Sequence, residues 1–345
     1  MQMHPAKRFD VVGIGSAIVD LLAEIGDIDV ASFGAGGAGL VKGGMSLVDT
    51  ATSAAILAAV HPVRTVSGGS VANTLVGIAE LGGRAAFIGK LADDDLGRAF
   101  AADIRAAGVD FEPVVVDRPS GGEPAWVTGH CAVLVSSDAE RTMATHLGVA
   151  STFGPGDIDH LLLDDAEVLY TEAYLWDAPA ARQAVVLAME AVHRSDGSVA
   201  LSLSDPTCVE RHRLGLLELL AGQVDVLLGN EDEARLLFDA KDLDSALAAL
   251  EDTGLLAVVT RGAGGSLVVT HNGVVEVPAV PVDNVVDTTG AGDLFAAGFL
   301  FALTHGQGPV DAAHLGSACA AEAVSHLGAR PETELRRLVE SVEPR

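Results

Sequence analysis

The sequence is short of lysine and cysteine, and each shortage excludes something. Only four lysines occur, Lys7, Lys42, Lys90 and Lys241. Lys and Arg total 21 against 48 Asp and Glu, a formal charge of −27. That balance argues against general binding to nucleic acid or to an anionic membrane. An anionic ligand must therefore be met by local donors, a few arginines and a metal ion. The three cysteines, Cys131, Cys208 and Cys319, lie far apart. They suit neither a disulfide framework nor a zinc site, and a reducing cytoplasm fits best. No H-E-x-x-H, paired C-x-x-C or G-x-x-x-x-G-K-[ST] is present, which removes the usual zinc and P-loop readings. No uncharged apolar run reaches the roughly 18 residues a membrane-spanning helix needs. "MQMHPAKRFD" has no following h-region and cleavage site, and "VVGIGSAIVD" is short and ends in an acid, so a first strand is expected there rather than a signal peptide.

What is present is apolar bulk in a repeating pattern. Hydrophobic residues make up 49% of 345, enough for a sizeable core in one large domain or two smaller ones. Strand-like runs are "FDVVGIGS", "AAFIGKL", "AEVLYTEA", "SVALSLSD", "VDVLLGN" and "LAVVTRG". Helical patterns alternate with them, as over Pro179–His193, Arg211–Leu220, Asn230–Phe238 and Ser245–Leu250. That alternation predicts an α/β fold with a mostly parallel, doubly wound sheet. Two glycine-rich or β-type regions, Ala23–Ser46 and Phe111–His146, break the rhythm without a clear helix. They are expected to form a small β-sheet lid, the alternative being two surface excursions.

Several motifs carry chemistry. "DTTGAGDLFAAGFL", Asp287–Leu300, reads as a glycine loop feeding a buried helix, with Asp293 on the first turn. Helix N-termini bind anions through unpaired N–H groups, yet this one holds an acid, either as a stabilising charge or as something more. "SGGSVANTLVGIAELGG" opens a second helix. Gly68 and Gly69 permit close approach of a ligand to backbone, and Asn73 offers donor and acceptor to a hydroxyl, or is merely solvated. "NEDE", Asn230–Glu233, is either a helix cap or a binder of hydrated Mg²⁺. "GAGGAG", Gly34–Gly39, matches a dinucleotide fingerprint only in letters, because no strand leads into it and no helix follows. Asp20, Glu172, Asp205, Asn230 and Thr260 fall at or just after strand ends. Such ends line the ligand cleft of open α/β sheets, although each alone reads as a cap or turn residue.

Together these stretches resemble the ribokinase-type (PfkB) carbohydrate kinases. "DTTGAGDLFAAGF" is similar to their C-terminal signature and "GGSVANTLVGIAELGGRAAFIGKLADDDLG" to their N-terminal one. "NEDE" is similar to their N-x-x-E motif, and "VVTRGAGG" to their nucleotide-binding strand and turn. "GLVKGGMSLVD", "ERTMATHLG", "TEAYLWD" and "VERHR" look closest to bacterial adenosine kinases and sugar kinases. The resemblance implies one ribokinase-like domain over 1–345, with a lid from about 23–46 and 111–146. It implies ATP with Mg²⁺, and K⁺ stimulation, as cofactors. Asp293 becomes the catalytic base, with Gly290, Ala291 and Gly292 as an anion hole and Arg141 reaching the phosphates from the lid. Asp20, Gly68, Gly69, Asn73 and Glu172 become substrate contacts. Asn230, Glu233, Thr260 and Gly262 become nucleotide and phosphate contacts, with Glu233 near Mg²⁺ through water and Asp287 in a monovalent-cation loop. "SVAN" departs from the ribokinase-like "KGAN", so the lysine of that subgroup is absent. The implied reaction phosphorylates a primary hydroxyl of a ribose-containing substrate, adenosine first, in a cytoplasmic monomer or lid-paired homodimer. Another sugar or nucleoside kinase, or a silent nucleoside- or sugar-binding regulator, stands as the alternative.

Overall fold

A computed structural model describes residues 7–26, 40, 42, 44–116, 126–137 and 141–342. "GAGGAG" and parts of both expected lid segments lie outside the described residues. The first part of the chain contains β1 (Phe9–Ile14), β2 (Ile18–Gly26), β3 (Met45–Leu47), α1 (Thr50–Ala59), β4 (Arg64–Ser67) and α2 (Ser70–Leu81). It continues with β5 (Ala85–Ile88), β6 (Lys90–Ala92), α3 (Asp95–Ala106), β7 (Asp110–Phe111), β8 (Val114–Val116), β9 (Gly129–Ser136) and β10 (Arg141–His146). The α/β rhythm then sets in with α4 (His160–Asp164), β11 (Ala166–Glu172), α5 (Pro179–Arg194), β12 (Ser198–Ser202), α6 (Pro206–Leu220) and β13 (Val226–Asn230). It closes with α7 (Glu231–Leu237), α8 (Leu243–Thr253), β14 (Leu256–Thr260), β15 (Ser266–Thr270), β16 (Gly273–Val277), α9 (Ala291–Thr304), α10 (Pro309–Ala323) and α11 (Arg336–Val342).

The large sheet has the order β16-β15-β14-β13-β12-β11-β1-β5-β7. Neighbours from β14 across to β7 pair in parallel, and β15 and β16 add an antiparallel edge. Alternate residues of each parallel strand enter two separate cores. Val11, Val168 and Phe87 join α2, α9 and α10 on one face, while Val12, Leu169 and Ala86 join α5 and α6 on the other. Strands buried on both faces read as the near-continuous apolar runs seen in the sequence. The chain turns to opposite sides of β1, towards β5 and towards β11, so the carboxyl ends of β1 and β11 flank a topological switch point, where ligands of open α/β sheets bind.

The second sheet has the order β3-β10-β9-β2-β4. One face packs Ala23, Ile25, Ala132, Leu134 and Ala144 beneath Ile56 and Val60, the latter two from α1 and its end. The other face carries Asp20 and Leu22, Arg64 and Val66, and Arg141 and Met143, each pair two residues apart, together with Val133. This sheet begins earlier than residue 23 and takes in β4, which lies outside both expected segments. Conversely, Asp110–Phe111 extends the large sheet, and Val114–Val116 pairs with β6 in a two-stranded sheet of its own. Three free cysteines are buried in the fold. Among the described residues no helix is long and apolar enough to cross a membrane.

Helices α2 and α9 pack against each other, and this contact carries the site. In α9 every residue from Leu294 to Ala302 is buried, so the helix is apolar all round and sits in the interior. Gly77 makes the approach possible, since a Cβ there would lie 2.6 Å from Ala297 Cβ. We expect Gly77→Val to overpack this seam, costing about 1–3 kcal/mol and separating the two helix N-termini. A thermal melt unchanged from the parent protein would show that the seam relaxes freely.

Candidate active site

The site forms where the N-termini of α2 and α9 meet. Ser70 Oγ–H donates to Asp293 Oδ1 at 2.6 Å, and Asn73 Nδ2–H donates to Asp293 Oδ2 at 2.9 Å. Thr74 Oγ1 lies 3.1 Å from the Asp293 carbonyl oxygen. The Asp293 carboxylate is thus held by two residues of α2, and its backbone carbonyl by a third. Burial pushes the Asp293 carboxyl above the usual Asp value, while Ser70, Asn73 and the charge of Arg330 pull it back. Asn73 Oδ1 is buried without a partner, so the side chain spends its donor on Asp293 and keeps one unused acceptor.

The glycine loop before Asp293 has three different jobs. Gly290 caps α9 with φ of 79°, and a Cβ there would lie 2.4 Å from Ala329 Cβ, so only glycine fits. Ala291 N–H turns back to the Thr288 carbonyl at 3.2 Å. The expected anion hole therefore loses the Ala291 donor, and the N–H groups of Gly292 and Asp293 lead the helix without a backbone acceptor among the described residues. A Cβ on Gly292 would meet nothing within 4 Å, so the backbone there is open to a ligand.

Two cavities border this loop. The larger, about 290 Å³, is bounded by Ser70, Asn230, Glu233, Thr260, Gly292 and Asp293. The smaller, about 120 Å³, lies under the inner face of the second sheet and contains Asp20, Arg141, Thr289 and Arg330. Asp20 is not just past the end of β1, as its position in the sequence suggests, but on β2 of the small sheet. Burial pushes its carboxyl up to about 7, with Arg330 pulling down, Asp293 pushing up and Arg141 pulling down. Gly68 lets this carboxylate lie against the backbone, since a Cβ there would be 2.4 Å from Asp20 Oδ2. Gly69 caps α2 with φ of 88°.

Other expected site residues turn out to be committed elsewhere. Glu172 is 1% exposed and accepts from Ser16 N–H at 2.9 Å and Val71 N–H at 3.3 Å. It ties the end of β11 to the loop after β1 and to the first turn of α2, and borders neither cavity. Burial raises its carboxyl to about 7. Asn230 and Glu233 form a reciprocal cap: Asn230 N–H and Nδ2–H donate to Glu233 at 2.8 and 2.7 Å, and Glu233 N–H donates to Asn230 Oδ1 at 2.9 Å. Both residues still border the larger cavity. Thr260 ends β14 on the same cavity, whereas Gly262 lies in the turn beyond it and lines neither.

Asp287 and Arg141 occupy each other. Arg141 Nη2 lies 2.8 Å from Asp287 Oδ2, and Arg141 Nη1–H donates to Thr289 Oγ1 at 3.3 Å. Asp287 also accepts from Thr289 N–H and Oγ–H at 3.1 and 2.8 Å and from Gly328 N–H at 2.7 Å. A carboxylate ringed by donors and a guanidinium is a poor ligand for a monovalent cation, so its side chain does not fit that expected role. Away from the cleft, Asp177, Cys208 and His212 converge, but Asp177 already accepts from Arg211 at 3.2 and 3.0 Å and sits 2.6 Å from His212 Nε2.

Residues 44–335 match the family described as pfkB family carbohydrate kinase. The chain belongs to the pfkB family. It is a sugar or nucleoside kinase with the ribokinase-like fold. It is similar to a crystal structure of adenosine kinase from Sinorhizobium meliloti, at 38% identity and a TM-score of 0.89, covering 97% of this chain and 99% of that one. A probable sugar kinase from Rhizobium etli CFN 42 is 35% identical with a TM-score of 0.88, covering 97% of this chain and 98% of that one. Among curated relatives, a 5-dehydro-2-deoxygluconokinase from Halalkalibacterium halodurans is 28% identical over 333 residues, 94% of this chain and 91% of the relative.

Within this pfkB protein, sequence reasoning overlooked Ser70, Thr74 and Arg330. Ser70 stands inside the quoted glycine motif, between Gly69 and the first apolar residue of α2, where a hydroxyl reads as an ordinary helix start. Arg330 lies between the turn residues Gly328 and Pro331, and no local pattern aims it. Ser70 yields a pH test. In the expected role of base, Asp293 would have to be ionised, and the Ser70 hydrogen bond favours the ionised form. Ser70→Ala therefore raises the Asp293 pKa further, and the acid limb of kcat is expected to move to higher pH. A limb that stays in place removes Ser70 from the control of Asp293.

Proposed function

We propose that the protein transfers the γ-phosphoryl group of ATP to a primary hydroxyl of a ribose-containing acceptor, with the 5′-OH of adenosine as the preferred one. The observation that carries this reading is Asp293, clamped by Ser70 and Asn73 at the border of a cavity headed by free helix N–H groups and close to a second cavity holding Asp20. In this reading the phosphates of ATP lie in the larger cavity against Gly292 and the head of α9. The acceptor lies in the smaller one, where the Asp20 carboxylate can accept from two neighbouring hydroxyls. Asp293 orients the attacking hydroxyl and takes its proton late, since phosphoryl transfer proceeds through a loose transition state and rests on positioning and charge. Glu233 spends both oxygens on Asn230, so a Mg²⁺ ion beside it would be held through water, as this ion often is. When bound, Mg²⁺ would neutralise charge on the phosphates.

Support for adenosine comes from the apolar wall over the smaller cavity. Leu22, Val66, Val133 and Met143 offer a purine the surface that a free sugar cannot use. The similarity to an adenosine kinase at 38% identity points the same way. A second reading has its own observation: Arg64, Arg141 and Arg330 line the same cavity in a strongly acidic protein. Such a cluster suits an acceptor with a carboxylate, as the name of the 5-dehydro-2-deoxygluconokinase relative suggests for its own substrate.

The deciding measurement is kcat/KM for adenosine, 2′-deoxyadenosine, ribose, fructose and 5-dehydro-2-deoxygluconate, side by side. Adenosine should lead, and 2′-deoxyadenosine should lose the binding of a buried hydroxyl, about 1–3 kcal/mol. A free sugar or the sugar acid leading would replace adenosine and leave the kinase standing. Asp293→Asn should lower turnover by roughly a hundredfold or more with little change in ligand affinity. Gly292→Val has room to fold yet blocks the open backbone, so a folded variant with normal ATP turnover would sink the phosphate assignment.

A further inference from the structure

Arg330 is a buried cation for which the reaction as described has no use. Its loop is pinned on several sides. Gly328 N–H donates to Asp287 at 2.7 Å, Ala329 packs under Gly290, and Glu332 and Thr333 N–H both reach Glu322 Oε1 at 2.9 Å. Arg330 Nε–H donates to the Ser67 carbonyl at 3.2 Å, and this is the one hydrogen bond of the guanidinium among the described residues. Nη2 is buried without a partner and stands 4.0 Å from Asp103 Oδ2, too far for a hydrogen bond. The side chain is 16% exposed and lines the smaller cavity together with Asp20. Two terminal nitrogens of a preoriented fork are thus left without acceptors beside a carboxylate left to accept. A hydroxyl group needs one partner of each kind.

We infer that Arg330 is a specificity-determining residue of the acceptor site: its terminal N–H groups donate to the oxygen of a substrate hydroxyl whose own hydrogen is accepted by Asp20. The inference rests on the proposed ribose-containing acceptor and deepens it, because it assigns the donor that Asp20 alone cannot supply. Both groups are held before ligand arrives, Arg330 by its pinned loop and Asp20 by its fit against Gly68, so little ordering remains to be done on binding. An acceptor lacking that hydroxyl leaves both groups unpaired in a buried place, which is how a polar site rejects a deoxy analogue.

The test is a substrate-by-residue cycle on the full chain. Binding of adenosine, 2′-deoxyadenosine and 3′-deoxyadenosine is measured by calorimetry for the parent protein, Arg330→Met and Arg330→Lys, with thermal melts alongside. In the parent, at least one deoxy analogue is expected to bind roughly tenfold or more weakly than adenosine. In Arg330→Met that penalty should shrink to within about threefold, because the hydroxyl has lost its donor, and Arg330→Lys should restore part of it. A folded Arg330→Met protein that keeps the full deoxy penalty, or that weakens all three ligands equally, overturns the inference and makes Arg330 a structural counter-charge. If Arg330→Met does not fold, Arg330→Lys decides alone, and an unchanged penalty in it overturns the inference. Parent protein that binds none of the three overturns the ribose reading instead, and the inference with it.

Discussion

The whole site depends on one constraint: carboxylates must be kept near helix N-termini in a place with little water. Asp293 sits on the first turn of α9, Glu172 accepts from the first turn of α2, and Glu233 closes the first turn of α7. Each is pushed up by burial, and each except Asp293 receives backbone N–H groups in return. Glu172 and Glu233 are consumed by this arrangement and hold the scaffold. Asp293 differs because its partners are side chains, Ser70 and Asn73, which leaves the helix N–H groups ahead of it uncommitted. A carboxylate and a set of anion donors can then share one helix end without cancelling each other.

Keeping them apart requires α2 to lie close under α9, and that explains the small residues at the seam. Gly77 lets the helices touch, Gly290 lets the loop pass over Ala329, and Thr74 grips the Asp293 carbonyl. The motif is a packing solution as much as a chemical one. Its glycines are spent on close approach, and its polar residues are spent on holding one carboxylate.

Sequence patterns exposed this part well, because close approach demands glycine at fixed spacing and a buried helix demands an unbroken apolar run. The parallel sheet was equally legible from β11 to β14, where strands and helices alternate within short distances. The small sheet was legible only in part. Just Gly15, Ser16 and Ala17 separate β1 from β2, so Asp20 reads as a residue at the end of one strand. β4 is four residues long and half exposed, with no period to announce it. β7 has two residues, too few to carry any pattern. Pairings made at long range left no local trace at all: 148 positions separate Arg141 from Thr289, and 263 separate Arg330 from Ser67.

The division between legible and illegible parts follows the division of labour in the cleft. The phosphoryl transfer proposed above needs fixed donors and one held carboxylate, and the candidates for both sit on α2 and α9, where local spacing dictates geometry. In the proposed reaction, acceptor choice would fall to the inner face of the small sheet, where apolar and charged residues alternate along β2, β4 and β10. That face is tied to the loop before α9 by the Arg141–Asp287 pair, with side chains 14% and 5% exposed. A buried pair of this kind contributes little net stability, but loss of either partner strands a charge. It therefore fixes where the small sheet stands relative to the loop that leads into α9. The reaction class can be read from contiguous motifs, whereas the proposed acceptor cavity is built from three strands and a loop that meet only in space.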